Sequence, residues 1–357
     1  LITVKAPGKL YIAGEYAVVE PSFPAVIVAL DQFVTVSIAE SQGFGRIESK
    51  QYQENSLYWR RHGDELVFDN RDNPFHYILS AIRFTEQYAR EQGKALKLFN
   101  LKINSQLDSK DGRKYGLGSS AAVTVGTIKA LCRFYDLTLT KDQIYKLAAI
   151  AHLDMQGNGS LGDIAASVYG GWIAYRSFNH DWLSAQRHTS TLSALLNMPW
   201  PGLAIEILTP PEGLELLIGW SGSPASTSQL VDKITIATAT NHAAYETFLQ
   251  ASKACVDQLI QSFKAGDMQG IQTQITMNRH ILQTLSDFSQ VSIETPLLKQ
   301  MCDVAEVNGG AAKTSGAGGG DCGIAVIATD SARNQIYTQW QELGVEPLNL
   351  KVHEVME

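Results

Sequence analysis

Residues 313–323 read KTSGAGGGDCG, and five of these eleven residues are glycine. So much bare backbone must be a tight turn, a close approach to a ligand, or a slack linker. Gly318, Gly320 and Gly323 even spell G-x-G-x-x-G. In a dinucleotide-binding fold that pattern lies between a strand and a helix, with an acidic residue about 20 positions on. Here the order is reversed. The helical LLKQMCDVAEVNG precedes the glycines and the β-like GIAVIAT follows them, while Glu342, near the expected acid spacing, falls inside a surface-like helix. The dinucleotide reading is rejected. Structured elements flank the stretch too tightly for a linker, and a glycine turn whose N–H groups approach an anion fits best.

A chain of 357 residues is long for a single core, so two domains are expected. The net charge of −7 speaks against nucleic-acid binding, which calls for a basic excess. An anionic ligand must then be held by a few lysines, a metal or backbone N–H groups. Cys132, Cys255, Cys302 and Cys322 are far apart and show no zinc-type spacing; reduced, buried thiols in a cytoplasmic protein are expected. The sequence has no apolar run of membrane-spanning length, and its first residues lack the apolar centre of a signal peptide.

The first 70 residues read as short strands (ITVKAP, LYIAG, AVIVAL, FVTVSIAE) broken by glycine and proline. Helices are predicted from Pro74 to Gly93, from Ser119 through SSAAVTVGTIKALCRFY, and after a Thr140 cap through TKDQIYKLAAIAHLDM. SLGDIAASVYGG reads as a short helix and WIAYRSF as a strand. GLAIEILTP and LELLIGW read as strands, followed by helical sequence from Ser226 to about Asn308 with breaks near Asn241, Gly266 and Ser292. GIAVIAT and VEPLNLKVHE are further strands around the helix SARNQIYTQWQEL. The fold class is α+β, with domains expected at 1–185 and 186–357.

Three segments carry chemistry. In GLGSSAA, Gly116 and Gly118 precede Ser119 and Ser120 at a helix start. Inward-turned N–H groups and the helix N-terminus make an anion site there, or the segment is only a glycine turn feeding a cap. In GNGSLGD, Ser160 and Asp163 fit a capping box, or a carboxylate held beside bare backbone. In APGKLYIAGEYAV, Pro7-Gly8 reads as a turn, and Lys9 is either an edge-guarding charge or is aimed into a site. There is no G-x-x-x-x-G-K-[ST] loop.

Taken in order, PGKLYIAGEYAV, GLGSSAA and KTSGAGGGDCG resemble the three signature motifs of the GHMP kinase superfamily. Tyr16, Asp321 and GWSGSPASTSQLV (residues 219–231) make the chain look most like the bacterial phosphomevalonate kinases within it. The resemblance implies a ribosomal-protein-S5-like N-terminal domain and a ferredoxin-like C-terminal domain with the site between them. It implies ATP and Mg²⁺ as cofactors, small-molecule partners, no nucleic acid or membrane, and a monomer or homodimer. By the same resemblance Lys9 and Asp163 are catalytic. Gly116, Leu117, Gly118, Ser119 and Ser120 hold the ATP phosphates, with Ser120 also a metal contact. Tyr16, Ser160, Ser221, Ser226, Thr227, Ser315, Gly316, Ala317 and Gly318 face the phosphomevalonate. No glutamate occurs between Tyr145 and Gly162, where mevalonate kinases carry a metal ligand, which leaves Asp154 or solvent for that place. Asn104 and Trp59 are candidate adenine contacts, or simply surface and packing residues.

Overall fold

The computed structural model describes residues 1–49, 56–69, 74–107, 115–328 and 332–355; the polar loop SKDGRK lies outside them. An eight-stranded sheet forms the N-terminal half. Its strands are β1 (Ile2–Ala13), β2 (Pro24–Glu40), β3 (Gly45–Ser49), β4 (Leu57–His62), β5 (Glu65–Phe68), β6 (Phe99–Ser105), β7 (Trp172–Arg176) and β8 (Ala204–Leu208). The order is β5-β4-β3-β6-β2-β7-β8, with β1 also on β2. The helices of this half are α1 (His76–Glu91), α2 (Ser119–Phe134), α3 (Lys141–Gln156), α4 (Gly162–Tyr169), α5 (His180–Arg187) and α6 (Leu192–Asn197).

The four short strands expected at the start are two long ones. Nothing in Asp31-Gln32 breaks β2, which runs on from the fully buried Ala25–Leu30 into an alternating half where Val34, Val36 and Ile38 face the core. The expected turn at Pro7-Gly8 is a bulge inside β1, where the register with β2 shifts between Pro7 and Lys9. Proline lacks a ladder N–H and is tolerated at such a break. A Cβ on Gly8 would sit 2.9 Å from the Leu117 carbonyl, so the bulge is where β1 meets the loop before α2.

The second sheet contains β9 (Leu214–Trp220), β10 (Ala311–Thr314), β11 (Cys322–Ala328) and β12 (Glu346–Leu348), in the order β10-β11-β9-β12 with every neighbour antiparallel. Helices α7 (Thr227–Ala239), α8 (His242–Ala265), α9 (Met268–Ser289) and α10 (Pro296–Val307) fill the connection from β9 to β10, and α11 (Arg333–Glu342) links β11 to β12. This is the expected ferredoxin-like order. The sheets divide between β8 and β9, later than the 185/186 boundary, because β8 pairs along β7. The short β10 and the helices α5 and α6 had no predicted counterpart. VEPLNLKVHE is a strand only over β12. Beyond it the chain returns to the first sheet: Val352 bridges Leu30, and His353 exchanges backbone hydrogen bonds with Ala29 and Gly171. All four cysteines are free and buried. Among the described residues no helix is long and apolar enough to cross a membrane.

The two halves are fastened where the glycine-rich segments lie. Lys313, on β10 and fully buried, forms an ion pair with Glu15, just past β1 and only 3% exposed. Ser315 Oγ donates to the Tyr11 carbonyl at 2.7 Å, and Tyr16 Oη donates to the Ala317 carbonyl. Tyr16 and Ala17 pack into an apolar cluster with Phe248, Leu285 and Ile293. Removing one member of a buried pair strands the other charge in the interior, at a cost of about 3–5 kcal/mol. Lys313→Met is therefore expected to lose roughly that much stability, and Lys313→Met with Glu15→Leu to recover most of it; urea unfolding of the three proteins checks this.

Candidate active site

A cavity of about 580 Å³ opens between the two halves. One wall is the end of β1 and the turn after it, with Lys9, Tyr11, Glu15 and Tyr16. The floor is the N-terminus of α2 with Gly116, Gly118, Ser119 and Ser120. A third side is the loop before α4 with Ser160 and the first turn of α4 with Asp163, and the roof comes from Ala225, Ser226, Thr227, Gly316, Ala317 and Asp321. The fold therefore draws all three glycine-rich segments and GNGSLGD into one cleft.

The first two segments are joined through backbone. Lys9 N–H donates to the Leu117 carbonyl at 2.9 Å, and Lys9 Nζ lies 3.4 Å from the Gly116 carbonyl. Gly118, with φ of +77°, is the residue from which α2 starts, and a Cβ there would meet the Lys9 side chain at 3.0 Å. No side chain caps this helix, so its first N–H groups and partial positive charge serve the cleft. Ser120 Oγ is 3.3 Å from Nε2 of His152, a buried imidazole stacked on Tyr77 and held by its burial below the usual histidine range.

The expected capping box at Ser160 and Asp163 is not formed. Leu161 caps α4 in a left-handed conformation without a side-chain bond. Asp163 accepts from the Ile164 N–H at 2.9 Å and lines the cleft, while Ser160 Oγ accepts from the Gly162 N–H at 3.3 Å and sits 2.6 Å from Tyr11 Oη.

The glycine loop is held from both sides. Gly319 N–H donates to the Ile293 carbonyl at 2.7 Å, and Gly316 N–H reaches Glu15 at 3.3 Å. Glu294, next to Ile293, is bound by the buried Arg279 of α9, which also pairs with Asp303 and Glu306. Asp321, at φ of +51°, accepts from Ala225 N–H at 3.0 Å and exchanges backbone bonds with Ser221 and Ser223. It thus ties GWSGSPASTSQLV to the third glycine segment.

Four of the expected site residues do not line the cavity. Leu117 turns its side chain into the core and gives only its carbonyl to Lys9. Ser221 and Ser315 are buried in the supporting hydrogen bonds, and Gly318 backs onto Ile293. Asp154 pairs with Arg83 and Arg187 outside the cleft. Trp59 is buried against Phe99, and neither it nor Asn104 reaches the cavity. Sequence reasoning passed over Glu15, Lys313, Tyr11 and His152; the G-E-Y of the first segment and the lysine opening the third were the only local signals.

Comparisons with known proteins identify the family and the fold. Residues 76–171 match the family model of the GHMP kinases N terminal domain, and 259–346 that of the GHMP kinases C terminal domain. The phosphomevalonate kinase of Streptomyces sp. (strain CL190) is 37% identical, with 97% of this chain and 95% of that protein covered. The chain belongs to the GHMP kinases. Among solved structures, the Lin0012 protein from Listeria innocua superposes on this kinase with a TM-score of 0.94 at 37% identity, covering 99% and 98% of the two chains. The Streptococcus pneumoniae phosphomevalonate kinase in complex with phosphomevalonate and AMPPNP gives 0.87 at 32% identity, covering 99% and 100%.

The described lining of the cleft is poor in positive side chains. Among the described residues that line it there is one lysine, Lys9, against three carboxylates, Glu15, Asp163 and Asp321. Backbone N–H groups at the start of α2 are the other electropositive groups that the described lining offers. Gly118→Ala puts strain of about 1–3 kcal/mol on the left-handed position and crowds Lys9. It is expected to raise the KM for nucleotide at least about tenfold, as steady-state kinetics with ATP as the varied substrate would show.

Proposed function

We propose that this kinase phosphorylates 5-phosphomevalonate with ATP, giving 5-diphosphomevalonate and ADP in the mevalonate route to isoprenoids. The observation that carries this reading is the end-to-end similarity to phosphomevalonate kinases, one of them solved with phosphomevalonate and AMPPNP. The cleft supports it, since the four segments such a reaction needs converge there.

Phosphoryl transfer is chiefly positioning and charge stabilisation. The acceptor here is itself a phosphate, so two polyanions must approach each other. The N-terminus of α2, with Gly116 to Ser120, takes the ATP phosphates. Lys9 sits beside that loop and between it and Ser160, where charge develops during transfer. Ser160, Tyr16, Ser226, Thr227 and the edge of the loop at Gly316 and Ala317 receive the acceptor; Ser221, Ser315 and Gly318 act by holding that edge in place. An acceptor oxygen attacks the γ-phosphorus, the bond to the β–γ bridging oxygen breaks, and ADP leaves.

The residues present fit Mg²⁺. Hard oxygen donors, the Ser120 hydroxyl and the Asp163 carboxylate, line a cleft with more carboxylates than cations. Among the described residues no group of three or more His, Cys, Asp or Glu gathers for a metal. That suits an ion which keeps much of its shell as water and substrate phosphate. When bound it supplies positive charge to the ATP phosphates.

A phosphate monoester loses its second proton at a pKa of about 6, so the acceptor needs no strong base at neutral pH. Asp163 accordingly orients Lys9 and substrate more than it removes a proton. ADP release assayed with phosphomevalonate and mevalonate side by side tests the function, and turnover with mevalonate alone overturns it. Lys9→Ala is expected to lower kcat at least about a hundredfold; near-normal turnover would remove Lys9 from the mechanism. For Asp163→Asn the lost rate is not expected to return as pH rises, and full recovery in the pH–rate profile would make Asp163 a base.

A further inference from the structure

Three parts of the cleft meet at one phenol, that of Tyr11 on β1. Its Oη lies 2.6 Å from Ser160 Oγ, and Lys9 Nζ stands 5.3 Å from its ring centroid, within cation–π range. The same Oη packs against the start of α4: a Cβ on Gly162 would lie 2.7 Å from it, and Gly162 directly precedes Asp163. The carbonyl of Tyr11 accepts from Ser315 at 2.7 Å. One residue thus touches the lysine, the serine and aspartate loop, and the third glycine segment.

The direction of the hydrogen bonds follows from counting protons. Tyr175 donates its only hydroxyl proton to the Ser160 carbonyl, so Tyr145, 2.7 Å away, must donate to Tyr175. Ser177 Oγ also reaches that carbonyl, at 3.3 Å. The backbone of Ser160 is therefore anchored from the core. Its Oγ takes the Gly162 N–H on one lone pair. An anionic oxygen in the cleft offers only lone pairs, so Ser160 must spend its own proton on it. The proton between Tyr11 and Ser160 then has to come from Tyr11. Burial, together with the nearby Asp163, pushes the Tyr11 phenol well above its usual range, so it keeps that proton.

We propose that Tyr11 is a positioning residue: it donates to Ser160 and so turns the Ser160 hydroxyl toward an anionic acceptor, while its ring holds the ammonium of Lys9 over the same acceptor. The inference rests on the phosphomevalonate kinase reading. It separates two contributions of one side chain, the hydroxyl acting on acceptor binding and the ring acting through Lys9 on transfer.

Steady-state kinetics on Tyr11→Phe, Tyr11→Leu, Ser160→Ala and the double variant Tyr11→Phe with Ser160→Ala tests it. Tyr11→Phe is expected to raise the KM for phosphomevalonate about tenfold, the scale of one lost hydrogen bond, with kcat and the KM for ATP within about twofold. The double variant is expected to match Ser160→Ala alone, because the phenol acts only through that hydroxyl. Tyr11→Leu, which also removes the ring, is expected to lower kcat at least about tenfold further. General loosening of the fold would shift melting temperature without this split. An unchanged KM in Tyr11→Phe, multiplying effects in the double variant, or equal kcat for the Phe and Leu variants overturns the proposal while leaving the function standing. No phosphomevalonate-dependent ADP release from the unaltered enzyme overturns both.

Discussion

The buried pair of Glu15 and Lys313 is the constraint on which the cleft depends. Each residue alone would be an expensive charge in the interior. Together they weld the turn after β1 to the strand that launches the third glycine segment. Glu15 then has an oxygen within reach of Gly316 N–H, and Lys313 also binds the carbonyl of its neighbour Thr314 at 2.6 Å. Tyr16, at a strained φ of +64°, continues the weld by bonding Ala317. Strain of this kind survives only where the surroundings over-determine the backbone, and here a buried ion pair and an apolar cluster do so. The cleft is thus built from segments 298 positions apart that a buried ion pair fixes to each other.

The scarcity of cationic side chains among the described residues of the cleft is tied to the same pair. Lys313, which opens the third glycine segment, is buried and committed to Glu15, leaving Lys9 as the lining ammonium among the described residues. Gly316 and Gly319 of the glycine loop commit their N–H groups to Glu15 and Ile293, while the N-terminus of α2, with no side-chain cap, presents its oriented N–H dipoles at the cleft. Such dipoles carry no net charge to be desolvated and need little reorganisation when an anion approaches.

Much of the fold was legible because its signals are local. Thr140 caps α3 as predicted, with Gln143 completing a capping box, and Asn241, Gly266 and the loop near Ser292 divide the long helical stretch where predicted. What failed were features decided by tertiary contact. Pro7 sits within a strand because a bulge opposite β2 excuses its missing N–H, and β8 joins the first sheet because β7 offers it an edge. In the site, the glycine segments announced themselves by composition. The residues that support them did not: Glu15, Lys313 and Tyr11 are ordinary residue types whose roles exist only once β1 and β10 lie side by side. Ser160 and Asp163 fitted a helix-capping pattern in sequence, but the left-handed Leu161 takes the cap position and leaves both side chains for the cleft.

The return of the chain after β12 has a mechanical consequence. The polypeptide crosses between the halves twice, once from β8 to β9 and again from β12 to the segment that bridges Leu30 and hydrogen-bonds Ala29 and Gly171. The second half is therefore attached to the first at both of its ends, and the halves cannot part without stripping these backbone bonds as well as the side-chain contacts around the cleft.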